Sequence, residues 1–320
     1  MTYTAGGLIQ ATDYNGFVST TAGANVNATW NSTYGQTAIS TVSTGGNVTA
    51  TQWATLVNTI TSMSNHQPTT ITARTAPTAG TTISILAAVN TDITNCYNNR
   101  LNAYASGSQY TGWTGTNSKT AATSGATWSI TFVNTVTFAN ATSATNFFNS
   151  GGTVKIDVSK TSTGATGDPE WNDLANTLCG DIYISGLATA HTIAGVSYTG
   201  TTKITGTGTP TTLSTATGWD ALTAGAGGTI VYKQFADTAP YTANFIQHTI
   251  AKGASSDTLV ITTLWSASDG DPITGGTAPS GATPGTAPCT IVTYYPPETV
   301  YLSNTWGTPP WLPQQLNQKG

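Results

Sequence analysis

Charge is what this chain has least of. Asp, Glu, Lys and Arg make up 7% of its 320 residues, against about one quarter in an ordinary globular domain. Only nine residues are basic, so there is no basic stripe to neutralise phosphates, which argues against nucleic acid as a partner. Cysteine is scarce: Cys96, Cys179 and Cys289 are odd in number, far apart and without C-x-x-C spacing. They predict neither a disulfide framework nor a zinc site, and read as small buried apolar residues. No apolar run approaches the ~18 residues of a membrane span, so none is expected. The first residues carry no basic segment followed by an apolar one, so no signal peptide is expected.

What is abundant is threonine, alanine, glycine, serine and asparagine, with nine Trp, thirteen Tyr and seven Phe. Hydrophobic residues reach 38%, enough for a real core and against disorder. A surface of hydroxyls and amides lies against copies of itself without desolvating many charges. It suits a subunit of a durable extracellular assembly. With no export signal, the expected resolution is a virion component, assembled in the host cytoplasm and released by lysis.

The expected fold class is α+β: a small N-terminal helical region followed by a β-rich, sandwich-like region with one or two short helices. The expected division is a helical docking and oligomerisation region over 1–105, a Gly/Ser/Thr-rich linker over 106–125, and a β-rich domain with a Pro/aromatic arm over 126–320. Thr12-Asp13 is the expected cap of a short helix bearing Tyr14, Phe17 and Val18. Thr49 and Gln52 form a T-x-x-Q capping box before Trp53, Leu56, Val57, Ile60 and Met63, which share one helical face. A third helix is predicted from Thr82 to about Arg100, with Leu86, Val89, Ile93 and Tyr97 inward. From Trp128 the period switches to two, with an apparent slip at Val133 that predicts a bulge. Asn140 to Asn149 predicts a helical turn stopped by Gly151-Gly152, and Thr153 to Val158 a strand. Asp168-Pro169-Glu170 predicts a helix start, and Gly180 a left-handed stop. Further strands are expected at 182–184, 229–235, 258–265 and 290–295; 244–251 is ambiguous between strand and helix. Residues 269–288 read as a surface loop. The proline-rich tail reads as an extended arm.

Chemistry is sparse. His66, His191 and His248 are dispersed and fit no metal or triad motif, so each reads as a surface or satisfied core histidine. No G-x-S-x-G and no P-loop occurs. Asp168, Glu170 and Asp173 form an acidic cluster that helix capping explains. Asp269-Gly270-Asp271 offers two calcium-type oxygens but reads more simply as a turn. The sequons at Asn27, Asn31, Asn47 and Asn140 are expected by chance in so Asn- and Thr-rich a chain. Trp113, Trp219, Trp306 and Trp311 are the remaining site-like residues, as subunit anchors or as sugar-stacking platforms. No catalytic, metal or cofactor-binding residue is assigned, no cofactor is expected, and the chain is not expected to be an enzyme.

Three segments carry a resemblance. Thr2 through Asn15, Tyr34-Gly35-Gln36, and Val48 through Leu56 look like virion structural proteins of tailed bacteriophages, those of contractile-tailed cyanophages and other aquatic phages in particular. Asn146 through Lys155, followed by Trp171-Asn172-Asp173-Leu174, is similar to a phrase of the same group. The resemblance covers roughly the first 180 residues. It implies a multi-copy structural protein of a tail, neck, baseplate or fibre-like appendage and no catalytic residues. The implied partners are copies of itself and other phage tail, neck or capsid proteins. The alternatives are a receptor- or host-glycan-binding module of the same particle and a head decoration protein; a depolymerase is a distant further one.

Overall fold

Local capping sets the helical part of the computed structural model, which describes residues 10–19, 23–79, 88–107, 110–116, 128–160, 168–267, 288–308 and 315–319. The longest helix, Ala50–His66, begins at Thr49, whose hydroxyl accepts from Gln52 N–H while Gln52 Oε1 accepts from Thr49 N–H. Both halves of the expected capping box are present. The first helix, α1 (Ala11–Val18), differs in its start. Gln10 is the N-cap and Asp13 sits three residues on, its carboxylate accepting from Gln10 N–H. Gln10 thus takes the cap position expected at Thr12-Asp13, with Asp13 reaching back to its N–H.

The other N-terminal helices are α2 (Val26–Trp30), α3 (Ala50–His66) and α4 (Val89–Asn98). Their apolar faces meet. Trp53 packs edge-on against Tyr14 at 5.5 Å and Phe17 at 6.1 Å. Val89, Ile93 and Cys96 are buried on α4, while Tyr97 is half-buried and covered by Arg100. The helix starts only at Val89, since Ala88 before it is left-handed at φ +62 and breaks the predicted Thr82–Arg100 run; residues 82–87 lie outside those described. The helix α2 was not expected: its N-cap Asn25 accepts from Ala28 N–H, but five residues are too few to show a period. Asn15 and Asn27 each exchange two hydrogen bonds with an extended segment, at Val42 and Ile39. These amides do for that segment what a neighbouring strand would.

The strands pair antiparallel in two larger sheets and one hairpin. They are β1 (Tyr110–Thr116), β2 (Trp128–Thr137), β3 (Thr153–Lys160), β4 (Ile182–Ile184), β5 (His191–Ile193), β6 (Val196–Tyr198), β7 (Thr201–Lys203), β8 (Thr212–Leu213), β9 (Thr229–Phe235), β10 (Phe245–Lys252), β11 (Thr258–Ala267), β12 (Pro288–Tyr295) and β13 (Gln315–Lys319). The five-stranded sheet runs β1-β12-β3-β4-β7, the six-stranded sheet β13-β2-β11-β10-β9-β8, and β5-β6 stand apart. Three expectations change here. The segment read as linker carries β1, an edge strand on β12. The predicted bulge at Val133 is absent, because β2 pairs with β11 in unbroken register. Ile130, Phe132, Asn134 and Val136 are all buried on one face; Asn134 is a polar residue in an inward position, not a slip. The ambiguous 244–251 segment is strand, β10.

Two helices lie within the β-rich part. Helix α5 (Ala141–Asn149) is capped by Asn140, whose amide oxygen accepts from Ser143 N–H. Helix α6 (Asp168–Asp173) continues as a π-helical segment, Leu174–Cys179. Trp171 stacks on Trp265 of the six-stranded sheet at 5.7 Å, and the π-helical segment touches β3 of the other sheet as well as β9 and β10. Sheet-on-sheet packing is therefore interrupted by a helix that contacts both. Gly180 ends it at φ +71 and ψ −175, positive in φ but extended in ψ rather than left-handed helical. Any Cβ there would overlap the Thr205 carbonyl.

A single hydrophobic cluster runs from Tyr14 and Trp53 through Phe132 and Phe147 to Trp171 and Trp306, so the helical head and the β-rich part share one core. The tail packs as an arm: Leu302 and Trp306 are buried, and β13 then adds a strand to β2. The predicted 269–288 loop lies outside the described residues.

Candidate functional site

Among the described residues, three carboxylates without a basic partner lie together where α6 meets the loop after β9. Glu170 and Asp173, three apart, share one helical face. Asp237 follows the end of β9. One carboxylate oxygen from each of the three lies within 4.8 Å of the other two. Sequence reasoning grouped Asp168, Glu170 and Asp173 as helix-start acids. The side chain of Asp168 lies outside those described, and Glu170 is not a solvated first-turn acid: it is 9% exposed. Its Oε1 is buried without a hydrogen-bond partner. Burial pushes its carboxyl above the ordinary value; hydrogen bonding from Thr238 lowers it, and Asp237 and Asp173 raise it. Among the described residues no Lys or Arg forms an ion pair with any of the three.

Asp237 also lines a cleft of about 440 Å³ with Leu178, Thr207, Gly208, Thr209 and Gln234. Gln234 is 5% exposed; its Nε2 donates to the Phe235 carbonyl at 2.9 Å, and its Oε1 has no partner. A second cleft, of about 480 Å³, lies between α1 and α3 and is lined by Tyr14, Trp30, Ile39, Gln52 and Thr55.

The histidines are not brought together. His66 and His248 are fully buried, and burial lowers them to about 4 and about 3. His66 Nε2 lies 3.1 Å from the Ser150 carbonyl. His248 stacks on Tyr232 and its Nδ1 lies 3.0 Å from Thr263 Oγ1. His191 Nδ1 lies 2.8 Å from the Thr189 carbonyl. Cys96 and Cys179 are buried free thiols, both pushed up by burial to about 12, so neither is a nucleophile at neutral pH.

No family model, curated protein or solved structure matches the chain. Its chemistry therefore rests on its own residues. Of the four tryptophans singled out in the sequence, Trp219 and Trp306 are each 1% exposed. Trp219 stacks on Phe148 at 5.2 Å under Lys252. Neither offers a ring face to a sugar. The side chains of Trp113 and Trp311 lie outside those described, as do Asp269 and Asp271. Three of the sequon asparagines are occupied structurally: Asn27 holds Ile39, Asn31 donates to the Gln36 carbonyl, and Asn140 caps α5. What sequence reasoning missed is Asp237, which only the path of β9 brings to α6.

Proposed function

We propose that the chain is a structural subunit of a tailed-phage particle, present in several copies in a tail, neck or fibre-like appendage, and acting by self-association and attachment. The observation that carries this reading is the outer face of the six-stranded sheet. Its outward positions on β2 and β11 are Ser129, Thr131, Val133, Thr135 and Thr137, and Thr258, Val260, Thr262, Leu264 and Ser266. None is charged, and all are half-buried. Gln247 and Thr249 extend the face onto β10, and Lys233 covers its edge by lying over Phe235 and Phe245. Soluble sheets usually interrupt such faces with charge. A face of hydroxyls and short apolar side chains meets a like face with little desolvation cost. The resemblance of the N-terminal segments to phage virion proteins supplies the kind of particle.

The glycan-binding alternative loses Trp219 and Trp306 as platforms, since both are in the core. Peptide mass spectrometry of gradient-purified particles from the phage that encodes this chain tests the proposal. The chain co-sedimenting with the particle at a fixed copy number is expected; its absence from the particle would refute the reading. Hundreds of copies would point to head or tail tube, and a handful to a few dozen to neck or baseplate.

A further inference from the structure

The geometry points to a calcium-binding site formed by Glu170, Asp173 and Asp237, joining α6 to the loop after β9. Proximity of three carboxylates alone would not carry this, because acidic groups often cluster in solvent. The deciding observation is Glu170. It is nine-tenths buried, and its Oε1 is sealed from solvent with no hydrogen-bond donor. A buried carboxylate oxygen without a donor is a costly arrangement unless a cation or proton satisfies it. One oxygen of each of two further carboxylates lies within 4.8 Å of a Glu170 carboxylate oxygen, and no basic side chain among those described pairs with them.

The donors select the class of ion, and their spacing admits calcium. All are carboxylate oxygens, with no imidazole or thiolate, which selects a hard cation over zinc or copper. Two oxygens on one ion are at most twice the metal–oxygen distance apart, about 4.6–5.2 Å for Ca²⁺ and about 4.0–4.2 Å for Mg²⁺. Oxygens that lie within 4.8 Å of one another can share one calcium ion. Because Asp237 is exposed, waters complete the shell. Three carboxylates at a half-open site place the affinity in the weaker, extracellular range, with Kd on the order of 10⁻⁴–10⁻³ M. The ion would bridge the helix lying between the sheets to the end of β9. This inference does not depend on the virion reading, and either can fail alone.

Isothermal titration of the chelator-stripped full chain with CaCl₂, paired with thermal melting in CaCl₂, MgCl₂ and NaCl at matched ionic strength, tests it. One bound calcium is expected, with a calcium-specific rise in Tm on the order of 5 °C at a hundredfold excess over Kd. Asp237→Asn, at an exposed position, should weaken binding at least tenfold and abolish the rise; Asp257→Asn, elsewhere on the surface, should change neither. Glu170→Gln should abolish binding while leaving the calcium-free Tm equal or higher, since it removes repulsion. No binding heat by 10 mM calcium, an equal rise in magnesium, or a rise that survives Asp237→Asn would each overturn the site. If Glu170→Gln does not fold, Asp237→Asn decides alone.

Discussion

Gln36 and Ser303, 267 residues apart, hold each other by two hydrogen bonds. Gln36 Nε2 donates to the Ser303 carbonyl at 2.8 Å, and Ser303 N–H donates to Gln36 Oε1 at 3.0 Å. Thr305 Oγ1 adds a bond to the Tyr34 carbonyl. This amide clamp seats the arm against the helical head and positions Trp306 in the core. Gln36→Ala removes both bonds, whose Ser303 backbone groups are solvent-accessible, and is expected to cost about 1–2 kcal/mol. Denaturant unfolding measures the loss, and hydrogen exchange should show it first at residues 303–306.

The buried tryptophans separate core from binding surface. Trp219→Ala and Trp306→Ala should each destabilise by about 3–5 kcal/mol, as large-to-small changes in a packed core do. Neither should alter binding on a glycan array once the comparison is made well below the variant's Tm. A glycan signal lost in a fully folded Trp306 variant would show that this ring does more than pack.

Acid should weaken the fold through two histidines. His66 and His248 are lowered by burial to about 4 and about 3, against about 6.5 unfolded. The unfolded chain therefore binds more protons across that window, and their contribution is complete above pH 6.5 and falls as pH drops toward 4 and then 3. Each contributes a slope of up to about 1.4 kcal/mol per pH unit. Glu170, raised by burial, acts with the opposite sign, since its folded form holds a proton more readily. Denaturant midpoints from pH 7 to pH 3.5 should fall in the native chain and fall less steeply in His248→Phe, which keeps a ring against Tyr232.

The outer sheet face gives a prediction about association rather than stability. Thr262 sits outward on β11, flanked by Val133 and Thr249. Thr262→Glu should change Tm by little, within the ~1 kcal/mol range of strand propensity, while placing a charge in a contact that would have to desolvate it. On the proposed self-association through this face, sedimentation should show a smaller species for the variant than for the native chain. An unchanged oligomer would move the contact to another face.

Much of this fold is legible from residues alone where local chemistry is strong. The T-x-x-Q box at Thr49 and the stripe from Trp53 to Met63 specify α3, and the β-branched and aromatic residues of 229–235 locate β9 although Val231 and Tyr232 are both buried where its register shifts. The strand β1 was hidden because Tyr-Thr-Gly-Trp-Thr-Gly-Thr carries glycines that depress strand propensity, and its stability comes from pairing with β12. Strands of two or three residues, such as β7 and β8, contain too few positions to show a period. Asn134 broke an alternation that continues through it, since a buried amide looks like a surface residue in sequence. The acidic site was half visible: Glu170 and Asp173 lie at helical spacing, but Asp237 reaches them only through the sheet's topology.

The mass of the purified chain in solution, measured by sedimentation velocity across a hundredfold concentration range, tests the central claim most directly. A closed oligomer, with three-, six- or twelve-fold copies, is expected, resistant to high salt because so few charges are available to hold it. A monodisperse species of 32.8 kDa at the highest concentration would contradict the account.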